Sequence, residues 1–152
     1  MVNGPLLQGA SDKLVQVFRA DPSLSSQVRE LVRDFCAGHT VDAQCTNRAQ
    51  VIADELYMNA VQYGSARESD LIFLGIEIGN GTLSISVEDR GAKTEVTPEK
   101  LRALIALHRM QQQATDTAGR GLSMIVMGWS KDVHIEHSLL GGLKVISVIS
   151  LS

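Results

Sequence analysis

Two hydrophobic periods run along the chain, and the change from one to the other near residue 70 separates helix from strand. Leu14 to Phe18 reads as a short strand closed by the Asp21-Pro22 turn. Val28, Leu31, Val32 and Phe35 then recur at helical spacing, with Ser23 or Ser25 as the cap of a helix that runs to about Ala37 and ends at Gly38. A second, longer helix is predicted from about Ala43 to Tyr63. Its core stripe is Ala49, Ile52, Leu56, Ala60 and Tyr63, and Gly64 stops it.

From Asp70 the period is two. Ile72, Leu74, Ile76 and Ile78 alternate, Asn80-Gly81 makes a hairpin turn, and Leu83, Ile85 and Val87 alternate again. Ser84, Ser86 and Glu88 fall between them, which predicts an antiparallel sheet with one face packed and the other wet. Thr97-Pro98 opens a third helix, a polar stretch covers Gln111 to Ala118, and Gly121 to Gly128 reads as a short apolar helix. A second hairpin closes the pattern, with Asp132 to His137, a turn at Gly141-Gly142, and Lys144 to Leu151. The fold class is α+β: a two-layer α/β sandwich, with helices on one face of a mixed, largely antiparallel sheet. The polar segment at about 92–118 has the length of a lid.

Composition narrows the function classes. With 152 residues and 44% hydrophobic side chains, the chain holds one domain and a real core, taken as 1–152. A formal net charge of −3 gives no strong attraction to nucleic acid or an anionic membrane surface. The apolar runs are too short to span a bilayer, and Met1 to Pro5 carries no charged region leading into an apolar one. A cytoplasmic location without an export signal is the resulting expectation. Cys36 and Cys45 are too few for a disulfide framework and fit no metal spacing. His134 and His137 point to opposite faces of a strand, so they share no metal.

Three places carry candidate chemistry. Glu55 and Asn59 lie four residues apart, about 40° around a helix axis, so both leave one stripe. That stripe is either a polar edge of a surface helix or a carboxylate and an amide poised as general base and Mg²⁺ ligand. Asp89 continues the apolar side of its strand after Leu83, Ile85 and Val87, where a carboxylate is costly without donors. Arg120, a backbone N–H, or the exocyclic amine of a bound base can supply them. Gly91 frees the backbone for close approach or positive φ. Gly119-Arg120-Gly121-Leu122 precedes an apolar helix, as a loop hinge or as a cradle of N–H groups for phosphate oxygens.

Taken in order, ADELYMNAVQYG, SVEDRGAK and GRGLSMI resemble the N, G1 and G2 boxes of the gyrase/histidine-kinase/MutL-type ATPases, over nearly the whole chain. Within that superfamily the chain most resembles the small bacterial anti-sigma-factor serine/threonine kinases. The resemblance implies a Bergerat-type ATP-binding fold with ATP and Mg²⁺ as cofactors. It implies Glu55 as general base, Asn59 as Mg²⁺ ligand, and Asp89 as acceptor for the adenine amino group. Gly91 would admit adenine, Tyr63 would line the pocket, and Gly119, Arg120, Gly121 and Leu122 would close over the phosphates. Implied partners are a sigma factor and an anti-sigma-factor antagonist, and relatives suggest a homodimer.

The sequence departs from the family pattern twice. Lys93 stands where D-x-G-x-G has its second glycine, at a hinge from which a lysine can reach phosphate. Leu143 follows Gly142 where a Gly-x-Thr commonly supplies a hydroxyl, a loss of one hydrogen bond worth about 0.5–1.5 kcal/mol. Two functions follow. One is a kinase that phosphorylates a small antagonist and sequesters a sigma factor. The other is a nucleotide-dependent binding module without phosphotransfer. The retained Glu55 favours the kinase.

Overall fold

In the computed structural model, residues 12–91, 98–100, 102–103, 106 and 124–151 are described. The elements are β1 (Lys13–Arg19), α1 (Ser25–Gly38), α2 (Ala43–Tyr63), β2 (Leu71–Gly79), β3 (Thr82–Glu88), α3 (Met124–Trp129), β4 (Asp132–His137) and β5 (Leu143–Ser150). The strands form one sheet in the order β1-β2-β3-β5-β4, and every ladder is antiparallel. The two-layer sandwich expected from the periods is therefore present, with no parallel pair among the described strands.

Local chemistry sets the element ends. Asp21 Oδ1 accepts from the Ser23 amide at 2.9 Å and opens a single 3₁₀ turn, Pro22–Leu24, that runs into α1. The cap is thus Asp21 rather than Ser23 or Ser25, and the Ser25 hydroxyl donates instead to Asp54 of α2. Asp42 caps α2 through the Cys45 amide at 2.8 Å. At the β2–β3 turn, Asn80 (φ 54°) and Gly81 (φ 73°) both adopt the positive φ that a two-residue hairpin needs. Residues 98–100 are helical, as the Pro98 signal predicts, whereas Thr97 and the polar stretch 111–118 lie outside the described residues. The last helix extends to Trp129, and residues 121–123 of its expected start also lie outside.

The inward face of the sheet carries Ile72, Leu74 and Ile76 from β2, Leu83, Ile85 and Val87 from β3, and Val145 and Ile149 from β5. α2 lies over this face, mainly on β3, and α1 packs on α2 through Val28, Val32 and Phe35. Tyr57 is fully buried within α2, and its ring meets Phe18 edge-on at 5.8 Å. Its hydroxyl donates to the Arg19 carbonyl and accepts the Asp21 amide at 3.3 Å, which ties the long helix to the end of β1. Burial raises the Tyr57 phenol above its ordinary value. The open face is less uniformly polar than Ser84, Ser86 and Glu88 imply, because Val15, Val17 and Leu71 are exposed there. Among the described residues no helix is long and apolar enough to cross a membrane.

Candidate functional site

Asp89 follows the last residue of β3 and is 1% exposed. Its Oδ1 accepts from the amides of Gly91 at 2.8 Å and Leu143 at 3.2 Å, so backbone donors offset part of the cost of burying the carboxylate. Of the partners open in the sequence, backbone N–H groups are present among the described residues, and Arg120 lies outside them. The main chain here continues the β3–β5 pairing, with Asp89 N–H to Leu143 O at 3.0 Å and Gly142 N–H to Asp89 O at 3.1 Å.

Two glycines allow that approach. Gly91 has φ +67°, and a Cβ on it would stand 2.7 Å from Gly142 Cα. A Cβ on Gly142 would overlap the Gly91 nitrogen and Asp89 Oδ1. Among the described residues, the space left by the missing Gly91 side chain is therefore taken by Gly142. Leu143, buried at 3%, contributes its amide to Asp89 but no hydroxyl.

The Asp89 loop is stitched to the C-terminal end of α2. The Gly91 amide also reaches the Gly64 carbonyl at 3.0 Å, and Arg90 Nη1 lies 3.5 Å from Asp70 Oδ1. Asp70 Oδ2 accepts from the Ala66 amide at 2.7 Å and the Arg67 amide at 3.1 Å. Those donors, aided by the Arg90 and Arg67 charges, hold its carboxyl below the usual carboxylate range.

Because Gly64 ends α2 at that stitch, position along the helix measures distance from Asp89. Tyr63, Asn59 and Glu55 follow at steps of four residues, about 6 Å each along the axis, and all three are half-buried. Asp54, one residue before Glu55, is turned toward α1, where Arg29 Nη1 meets its Oδ2 at 3.1 Å. The structure thus brings Asp89, Gly91, Tyr63, Asn59 and Glu55 onto connected elements. Lys93, Gly119, Arg120, Gly121 and Leu122 lie outside the described residues.

Several contributors were not read from the sequence: Gly142, Asp70, Arg90 and Tyr57. Tyr57 carried the one usable signal, since Ala53, Tyr57 and Ala60 extend the helical core period. Among the described residues no cluster of three or more His, Cys, Asp or Glu side chains can hold a metal. One amide oxygen from Asn59 is still a hard ligand of the kind Mg²⁺ takes beside phosphate and water oxygens. His134 and His137 are both exposed, and His134 sits 3.2 Å from Asp132. A hollow of about 200 Å³ opens on the opposite face of the sheet around Gly75, away from Asp89 and the Glu55 stripe.

Comparison with known proteins gives a family and a fold. The sequence matches the histidine kinase-like ATPase domain over residues 18–146. It matches no curated protein. Among solved structures, the RsbU and RsbW domains of Rv1364c from Mycobacterium tuberculosis superpose with a TM-score of 0.64 at 19% identity. That match covers 91% of this chain and 32% of the other, so the chain spans about a third of that protein's length. At this identity the likeness is one of fold, a sheet with helices on one face. The domain match, over most of the chain and across both Glu55 and Asp89, places the chain in the histidine kinase-like ATPase domain family.

Proposed function

We propose that the chain is an anti-sigma-factor-type serine/threonine protein kinase. It binds ATP with Mg²⁺, phosphorylates a small antagonist protein in the cytoplasm and sequesters a sigma factor. The observation that carries this reading is the order Asp89, Tyr63, Asn59, Glu55 along one stitched pair of elements. A buried carboxylate suited to an exocyclic amine lies at one end, and a carboxylate suited to a hydroxyl proton lies about two helical turns beyond Gly64 and Tyr63. Family membership, which implies ATP binding, and the likeness to a structure containing an RsbW domain support it.

In this reading Asp89 accepts from the adenine amino group and Tyr63 flanks the pocket. The Asn59 amide oxygen holds Mg²⁺, which when bound neutralises phosphate charge. Glu55 takes the proton of the incoming serine or threonine hydroxyl as its oxygen bonds to the γ-phosphorus. The bond from the γ-phosphorus to the β,γ-bridging oxygen breaks, and ADP leaves. Lys93 and the segment Gly119, Arg120, Gly121 and Leu122 complete the phosphate side.

The expected result is label transfer from γ-labelled ATP to a candidate antagonist by the wild type, loss of transfer in Glu55→Gln, and unchanged ATP affinity in that variant. Leu143, with no hydroxyl beside Asp89, favours the second reading, a nucleotide-dependent binding module. Wild type that binds ATP and holds a partner yet transfers nothing would establish that module instead.

A further inference from the structure

On the side of Glu55 away from Asp89, the same stripe of α2 continues to Arg48. This residue precedes Glu55 by seven positions, about two helical turns, and falls between Glu55 and Asn59 around the axis, about 20° from each. Its guanidinium lies over the ring of Trp129, the last residue of α3, with Cζ 5.3 Å from the ring centroid. Both side chains are half-buried. The ring attracts the cation and narrows the range of positions that a long side chain otherwise samples.

The cation is held but not neutralised. The acids six residues to either side, Asp42 and Asp54, are turned to the Cys45 amide at 2.8 Å and to Arg29 at 3.1 Å. Arg19, Arg29, Arg33, Arg90 and Arg102 each have a carboxylate partner. The Arg48 side chain makes no hydrogen bond or ion pair among the described residues. A guanidinium so placed keeps N–H donors for an incoming carboxylate. Helical side chains lean toward the helix N-terminus, so Arg48 leans away from Glu55 and Asn59. It therefore faces the side from which an acceptor enters, beyond the phosphates.

We propose, on the kinase reading above, that Arg48 determines acceptor specificity. It takes the carboxylate of an Asp or Glu three residues from the Ser or Thr whose proton Glu55 accepts. Seven residues of helix rise about 10 Å, and three residues of extended chain span about 10 Å, so one peptide segment reaches both side chains. Arg48 binds the acceptor and touches no reacting atom.

The probes are three peptides, acetyl-Glu-Ala-Ala-Ser-Ala-Ala-Glu-amide and its Gln-ended and Lys-ended counterparts, with label transfer from γ-labelled ATP by the full chain. Wild type should use the Glu-ended peptide with a kcat/KM at least about tenfold above the Gln-ended one, and the difference should lie in KM. Arg48→Glu should reverse the order, with the Lys-ended peptide at least about fivefold better than the Glu-ended one. If Arg48 only ties α3 to α2, that variant lowers transfer to all three peptides alike, which overturns the proposal. Should the variant fail to fold, the wild-type ratio decides alone, and equal use of the Glu-ended and Gln-ended peptides overturns the proposal. A wild type that labels an antagonist protein but shows no preference among the peptides, or labels none of them, overturns the proposal and leaves the kinase reading standing. A wild type that binds ATP and labels neither antagonist nor peptide removes both.

Discussion

The Oδ1 atom of Asp89 receives the Gly91 and Leu143 amides, so this side chain has a structural duty as well as the recognition duty proposed for it. Asparagine separates the two. Its amide oxygen still accepts both backbone donors, but an amino group then meets the adenine amino group, donor against donor. Asp89→Asn is expected to melt within about 3 °C of wild type while losing ATP binding at least tenfold by calorimetric titration. Asp89→Ala leaves the buried Leu143 N–H without its acceptor and the Gly91 N–H with the Gly64 carbonyl alone, at a cost of roughly 1–3 kcal/mol, or about 3–10 °C in melting temperature for a chain of this size. An asparagine variant that melts as low as the alanine variant would show that the charge, not the acceptor, holds this corner. The sequence made Asp89 legible because period two carried a carboxylate onto an apolar face. Gly142 was not legible, because its need for no side chain comes from Gly91 and Asp89, which are distant in sequence and meet it only in the fold.

Elements were legible where one strong period ran unbroken between stop signals. The α2 helix is found at Ala43–Tyr63, and the Asn80-Gly81 turn falls where expected, because each is decided within a few residues. The α1 helix begins at Ser25, where the pattern puts it, but a 3₁₀ turn precedes it, so the capping side chain is Asp21, upstream of both candidate serines. The turn between α2 and β2 depends on Asp70, which the sequence marked only as the place where the period changes. Its carboxyl accepts from the Ala66 and Arg67 amides and faces Arg90, so its folded pKa lies below its unfolded one. The sign follows from linkage: the contribution is fully present above the unfolded value near about 3.9 and is lost as pH falls through the lower folded value. Melting curves from pH 6 to pH 2 should therefore fall less steeply below about pH 4 for Asp70→Asn than for wild type. Parallel acid limbs for the two proteins would remove Asp70 from the account.

At the scale of the molecule, the period of two reveals strands but not their order. The β4–β5 hairpin could be read, yet the insertion of β5 between β3 and β4 rests on contacts such as Asp89 with Leu143 that no local signal announces. The same limit hid the stitch between Gly64 and Gly91, which joins the two motifs of the candidate site. A nucleotide spanning that site touches both layers and should stabilise the whole fold. At about 100 times its Kd a ligand adds about 2.7 kcal/mol, or about 5–10 °C in melting temperature here. The choice of purine makes the measurement specific. Adenine offers an amino group to Asp89, whereas guanine offers a carbonyl oxygen at the corresponding ring position, and a carboxylate repels it. With Mg²⁺ present, ATP should raise the melting temperature by that amount, and GTP at equal concentration should raise it by less than about 2 °C. Equal shifts from the two nucleotides would mean that the phosphates alone are bound and that Asp89 reads no base.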